Sequence, residues 1–229
     1  ADADGYLDLY VVSGGVEAAP GAAAFQDRLY LNSGGIFAVA EGSLPDMRFS
    51  GGCVATGDVD GDGDLDLFVG ARLVPGQYPK SERSRLLLND SSGKFIDAGA
   101  ELKLGMVTDA LWSDADGDGD LDLWAHNRTA PRLRLLRNNS PQANRSVAFR
   151  LEGGENSNRD AIGSRLKLTL SDGSELLQTL RAGSAFLSQS SKWIHFGIDP
   201  RASPSSLHVT WPDGVEESFS GIVAGERYH

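Results

Sequence analysis

Residues 58–70 read DVDGDGDLDLFVG, and the pattern returns as DADGDGDLDLWAH at 114–126 and, shortened at its start, as DADGYLDLYVV at 2–12. Each is an acidic turn running into a short apolar strand, and the closing Asp recurs at Asp8, Asp66 and Asp122, spaced 58 and 56 residues apart. A second block follows each turn: RLYLNSGGIFAVA at 28–40 matches SRLLLNDSSGKFIDA at 84–98, with a weaker copy in PRLRLLRNN at 131–139. The repeating unit is therefore a supersecondary module rather than a stray motif.

Within a module, the runs Leu-Asp-Leu-aromatic, Leu-Tyr-Leu or Leu-Leu-Leu, and Gly-x-Phe are short strands bounded by Asn, Asp, Ser and Gly turns. Such a small antiparallel sheet cannot bury both faces alone, and a period of about 60 residues with about four strands suits a propeller blade stacked on its neighbours. The fold class expected is all-β: a partial β-propeller of about three blades, because closed propellers hold about four to eight. The sequence reads as a fragment that begins inside a blade. After NNSPQAN at 138–144 the acidic turns cease and alternating strands such as SRLKLTLSDGSELLQTL begin. A boundary is expected near residue 143, with blades in 1–143 and a small β-sandwich-like domain in 144–229.

The acidic turns carry the chemistry. Calcium takes six to eight hard oxygen ligands at about 2.3–2.6 Å, and a DxDxDGxxD loop supplies carboxylates at positions 1, 3, 5 and 9 of one turn. Asp58, Asp60, Asp62 and Asp66 make one complete set, and Asp114, Asp116, Asp118 and Asp122 make another. Asp2, Asp4 and Asp8 form a third, partial set that lacks its first ligand. Position 7 is expected to ligate through its backbone carbonyl, since it holds Asp64 and Asp120 in two loops but Tyr6 in the other. Gly5, Gly63 and Gly119 occupy position 6, where the chain turns sharply at positive φ. Carboxylates crowded around one point repel by several kcal/mol at low effective dielectric, so a bound cation is expected to be structural. An isolated Asp-rich turn is commonly a solvated hairpin; two complete turns in phase with a repeat argue for a cage. An EF-hand would need a ligating Glu at position 12 and flanking helices, whereas Val69 and Ala125 stand there within strand-like runs.

Composition narrows the partners. The net charge of −11 argues against binding to phosphate backbones, which needs clustered Lys and Arg, so nucleic acid is not expected. No apolar run is long enough to cross a membrane, and the first ten residues carry no export signal. The single Cys53 cannot pair internally and reads as a small buried hydrophobe.

The loops followed by LDLFV and LYLN strands resemble FG-GAP/VCBS repeats, the blade units of integrin α-subunit propellers, over residues 1 to about 139. GARLVPGQYP at 70–79 and LGMVTDALWSDADGDGDLDL at 104–123 resemble bacterial members of that family. The resemblance implies Ca²⁺ in these loops, on one rim of a propeller. SNRDAIGSRLKL at 157–168, RAGSAFLSQSSKWIHFGI at 181–198 and LHVTWPDGVEESF at 207–219 resemble the ASPIC/UnbV domain. That family is named partly for an acidic secreted cartilage protein, in which the domain also follows such repeats.

In the C-terminal segment, Leu166, Leu168 and Leu170, and Leu207, Val209 and Trp211, alternate with polar residues as half-buried strands do. SDG at 171–173 and WPDGV at 211–215 are hairpin turns. Asn158, Arg159 and Asp160 read first as a turn and second as a ligand contact. Ser188, Ser190, Ser191, His195 and Asp199 invite a hydrolase reading, but no nucleophile elbow is present, and no zinc or nucleotide motif appears.

The function expected is a calcium-binding extracellular or cell-surface protein, not an enzyme, whose stiffened blades mediate adhesion by binding a protein or carbohydrate ligand. Alternatives are a polysaccharide-acting enzyme or an accessory domain of one, and a structural spacer in a larger exported protein. An oligomer that completes the blade packing is allowed.

Overall fold

The computed structural model describes residues 1–2, 4–116, 118–139, 145–154, 156–183, 191–199 and 201–229. Residue 143, where the sequence places the domain boundary, lies outside them, as do Ser188 and Ser190. The chain divides into two compact units: one holds Ala1–Gly57, Asp64–Ala115 and Leu121–Asn138, the other Asp58–Gly63, Asp116–Asp120 and Asn139–His229.

In the first unit, β1 (Leu9–Val11), β2 (Arg28–Ser33) and β3 (Ile36–Val39) form one antiparallel sheet. A single 3-10 turn, Ala23–Phe25, precedes β2. The second sheet is a four-stranded meander of β4 (Gly51–Gly57), β5 (Asp66–Ala71), β6 (Arg85–Asn89) and β7 (Phe95–Asp97). The third contains β8 (Val107–Ser113), β9 (Asp122–Asn127) and β10 (Leu133–Leu136).

The repeat is thus visible in space, with β1, β5 and β9 as equivalent strands. Strands β4 and β8 precede the acidic turns, and the turn motif alone does not reveal them: GGCVATG and VTDALWS are poor in simple alternation. Glycine in β4 answers to packing. A Cβ at Gly52 would lie 2.4 Å from the Val107 carbonyl oxygen, and one at Gly57 would lie 2.7 Å from the Trp112 ring. These absences of side chain let the third sheet sit close on the second.

Each pair of neighbouring sheets shares one core. Leu67, Val69, Leu87 and Phe95 of the second sheet pack with Leu29, Met47 and Phe49. Its opposite face gives Ala55 and Phe68 to a core with Val107, Ala110, Leu123 and Ala125. Alternation with period two sends successive residues of β5 to opposite cores, which is why that strand is buried throughout. Phe68 meets Trp112 edge-on, with ring centroids 6.5 Å apart.

The second unit contains two sheets: β14 (Trp193–Ile198), β11 (Arg145–Arg150) and β17 (Arg227–Tyr228) in one, and β13 (Glu175–Thr179), β12 (Arg165–Leu170), β15 (Pro204–Thr210) and β16 (Glu216–Ser220) in the other. Pairing is antiparallel except between β11 and β17. Val147, Phe149, Ile194 and Phe196 from one sheet face Leu166, Leu168, Leu207 and Val209 from the other across a common core. The fold is all-β, part of a propeller followed along the chain by a sandwich-like domain. Among the described residues no helix is long and apolar enough to cross a membrane.

Candidate metal centre

Each acidic turn joins two antiparallel strands, β4 to β5 and β8 to β9, so the strand ends fix where the loop begins and closes. Gly5, Gly63 and Gly119, all at position 6, have φ of 90°, 101° and 99°. That left-handed backbone folds the loop over itself, and a side chain there would be strained.

Carboxylate oxygens of Asp58, Asp60 and Asp66 lie within 4.8 Å of one another, and so do those of Asp114, Asp116 and Asp118. Oxygens bound to one ion at about 2.4 Å lie no more than about 5 Å apart, so both triads have the span of a calcium shell. The donors are all hard oxygens, without sulfur or imidazole, which suits Ca²⁺ or Mg²⁺ over zinc. The residues present therefore fit the ion. Asp62 and Asp122 fall outside the two triads. The Asp62 amide donates to Asp60 Oδ1 over 3.3 Å, and the Asp118 and Asp120 amides donate to Asp116 Oδ1 and Asp118 Oδ1 at 3.2 and 3.1 Å. These amide bonds orient the carboxylates within each turn. At position 7, Asp64 accepts the Ser91 hydroxyl. Its carboxylate is thereby engaged outside the triad.

The closing Asp has a duty in the sheet that the motif does not announce. In every repeat one of its oxygens accepts a backbone amide from the end of the next strand or just beyond it: Asn32 to Asp8 at 2.9 Å, Asn89 to Asp66 at 2.9 Å, and Asn138 to Asp122 at 2.8 Å. Asp66 and Asp122 are fully buried, so such amides offset the water each carboxylate has lost; the second oxygen of Asp122 also accepts the Ala115 amide at 3.0 Å. The Asn side chains reach back, Asn32 Nδ2 to the Leu7 carbonyl at 3.0 Å and Asn89 Nδ2 to the Leu65 carbonyl at 3.5 Å. The recurring Asn of LYLN and LLLN was the available signal.

The partial third loop is arranged differently. Asp4 Oδ1 accepts the Tyr6 amide at 2.9 Å. Asp2, Asp4 and Asp8 form no close triad among the described residues.

Two loop segments fold with the second unit. The Ser146 hydroxyl on β11 donates to the Gly119 carbonyl at 2.8 Å, and a Cβ added to Gly197 on β14 would fall 1.9 Å from Asp58 Oδ2.

Other residues with chemical potential are committed elsewhere. Asp199 is paired with Arg201 at 2.6 Å, a hydrogen bond that holds its carboxyl down at about 2. His195 lies within β14, where burial depresses its basicity, and Asp199 is not among its bonded partners. The Ser191 hydroxyl accepts the Trp193 amide at 3.2 Å. Asn158 bonds Ile162 twice, through Oδ1 to its amide and Nδ2 to its carbonyl, each 2.8 Å, which is turn chemistry. Cys53 is half-buried, and burial, aided by Asp109, raises its thiol to about 12. Buried Asp27 accepts the Tyr10 hydroxyl at 2.7 Å and the Ser13 amide at 2.6 Å; desolvation raises its pKa against those bonds.

Comparison with known families accords with this geometry. A model described as an FG-GAP-like repeat matches residues 1–69, and one described as ASPIC and UnbV matches residues 154–229. No curated protein matches the chain.

Proposed function

Starting from a chain that joins an FG-GAP-like repeat to an ASPIC and UnbV domain, we propose that it is a calcium-binding extracellular or cell-surface protein. Its ion-stiffened blades act in adhesion, offering loops to a protein or glycan ligand. The observation that carries the metal assignment is the pair of oxygen triads, each within 4.8 Å, in turns of the same repeat. Calcium, when bound, supplies charge neutralisation; the chain's own residues supply the cage. Asp58, Asp60, Asp62 and Asp66 hold one ion, and Asp114, Asp116, Asp118 and Asp122 hold the other. The strand-to-strand setting of both turns supports a structural rather than a switching role, since the triads sit between paired strands and not on mobile helices.

The role assigned is binding, not catalysis. Its support is that the acids and the histidine with perturbed titration are held by packing or by partners of their own, as with Asp27 and Asp199.

Thermal unfolding with and without EDTA, followed by calcium addition, tests the metal reading. Chelation should lower Tm and calcium should restore it, because an ion bound only by the folded chain stabilises it by mass action. Calorimetric titration of the chelated chain should show two sites. A melt insensitive to both EDTA and calcium would sink the proposal.

A further inference from the structure

Both acidic loops touch the same rung of one ladder in the second unit. Ser146 and Gly197 are direct partners in the antiparallel register of β11 and β14. On that rung, Ser146 Oγ donates to the Gly119 carbonyl of the later loop at 2.8 Å. Gly197 faces the earlier loop: a Cβ there would stand 1.9 Å from Asp58 Oδ2, 2.6 Å from Asp58 Cγ and 2.7 Å from Gly61 Cα. Those separations lie far inside van der Waals contact, and one collision is with backbone that has no flexible end to yield. The position therefore admits only hydrogen. Gly63, beside the same triad, would place a Cβ 3.2 Å from Leu176 Cδ2 of β13, so the loop is backed by side chain there as well.

We infer that the Ser146–Gly197 rung positions both metal loops, so that calcium uptake by Asp58–Gly63 and Asp116–Asp120 and the stability of the β11–β14 ladder are coupled. The inference rests on the calcium assignment proposed above. Coupling is reciprocal: what the ladder contributes to the loops' affinity, bound calcium returns to the ladder's stability. Neither residue is a ligand; each acts through a loop group. Gly197 leaves room for the Asp58 carboxylate at position 1, and Ser146 anchors the carbonyl of position 6.

The test uses the full chain, the Gly197→Ala and Ser146→Ala variants, and calcium alone as ligand. Groups that support metal ligands typically contribute roughly 10–100-fold to affinity, so Gly197→Ala should weaken one of the two sites by about tenfold or more and leave the other near the parent value. Ser146→Ala removes a single hydroxyl from a half-exposed position and should fold whatever Gly197→Ala does; it should weaken the other site. Hydrogen exchange of the parent should show β11 and β14 amides slowing when calcium is added. The inference is overturned if the parent binds two ions but Ser146→Ala, and Gly197→Ala if folded, bind them with parental affinities, or if the ladder amides exchange at the same rate with and without calcium. A parent chain that takes up no calcium overturns the metal assignment as well, which separates the two failures.

Discussion

Asp66 and Asp62 look alike in the sequence and differ in the folded chain. Asp66 is fully buried, within 4.8 Å of its triad partners, and accepts the Asn89 amide at 2.9 Å. Asp62 lies outside that triad, exposed to solvent. A buried amide left without its acceptor costs about 1–3 kcal/mol. Asp66→Ala should therefore lose about that much stability even in EDTA, while Asp62→Ala in EDTA should lose none and show its defect only when calcium is titrated. Urea unfolding in chelator, beside calorimetry in calcium, distinguishes them; equal behaviour of the two variants in chelator would refute the double role of the closing Asp. The acidic motif was legible as a cluster of carboxylates in one turn. The staple was not, because the amide it accepts lies 23 residues further along the chain.

At the scale of elements, the sheet-to-sheet junctions repeat with an exchange of sizes. A Cβ on Gly51 of β4 would lie 2.4 Å from Val12 Cγ1, and one on Gly70 of β5 would lie 3.0 Å from Val107 of β8. Val12 and Gly70 occupy the same place after their LDL strands, as Gly51 and Val107 do before their acidic turns. One junction is Val against Gly and the next Gly against Val, so the volume is kept while the owner changes. Overpacking a tight junction costs typically 1–3 kcal/mol, so roughly that loss is expected for Gly51→Val. Adding Val12→Gly, which reproduces the Gly70 and Val107 arrangement, should recover part of it. The double-mutant cycle measured by urea unfolding should show coupling of about 0.5 kcal/mol or more; strict additivity would count against the exchange. Strands β5 and β9 were readable from alternation and aromatic content. Strand β4 was not, since Gly51, Gly52 and Gly57 are chosen by what packs on them and carry no strand preference of their own, and β8, VTDALWS, lacks simple alternation.

For the molecule as a whole, the net charge of −11 is concentrated in the acidic turns, which hold 13 of the 32 acidic residues when the partial loop is counted. Each bound divalent ion offsets two of those charges, whereas in chelator the turns repel themselves and only dissolved salt can screen them. Screening length falls from about 10 Å at 0.1 M to about 3 Å at 1 M ionic strength. Tm in EDTA should therefore climb as sodium chloride is raised over that range, and in saturating calcium it should move much less. Equal salt responses in the two conditions would show that carboxylate repulsion is not what calcium relieves. The sequence by itself determined the all-β class, the repeat, the loops and their left-handed glycines, because alternation, spacing and backbone sterics are local and act within a few residues. Only the tertiary structure decided which oxygens converge, that the closing Asp is bonded at or just past the end of the following strand, and that Asp58–Gly63 and Asp116–Asp120 rest on Ser146 and Gly197. Those depend on register and close approach between segments far apart in the chain, and a glycine whose only requirement is empty space leaves no local signature of the group that fills it.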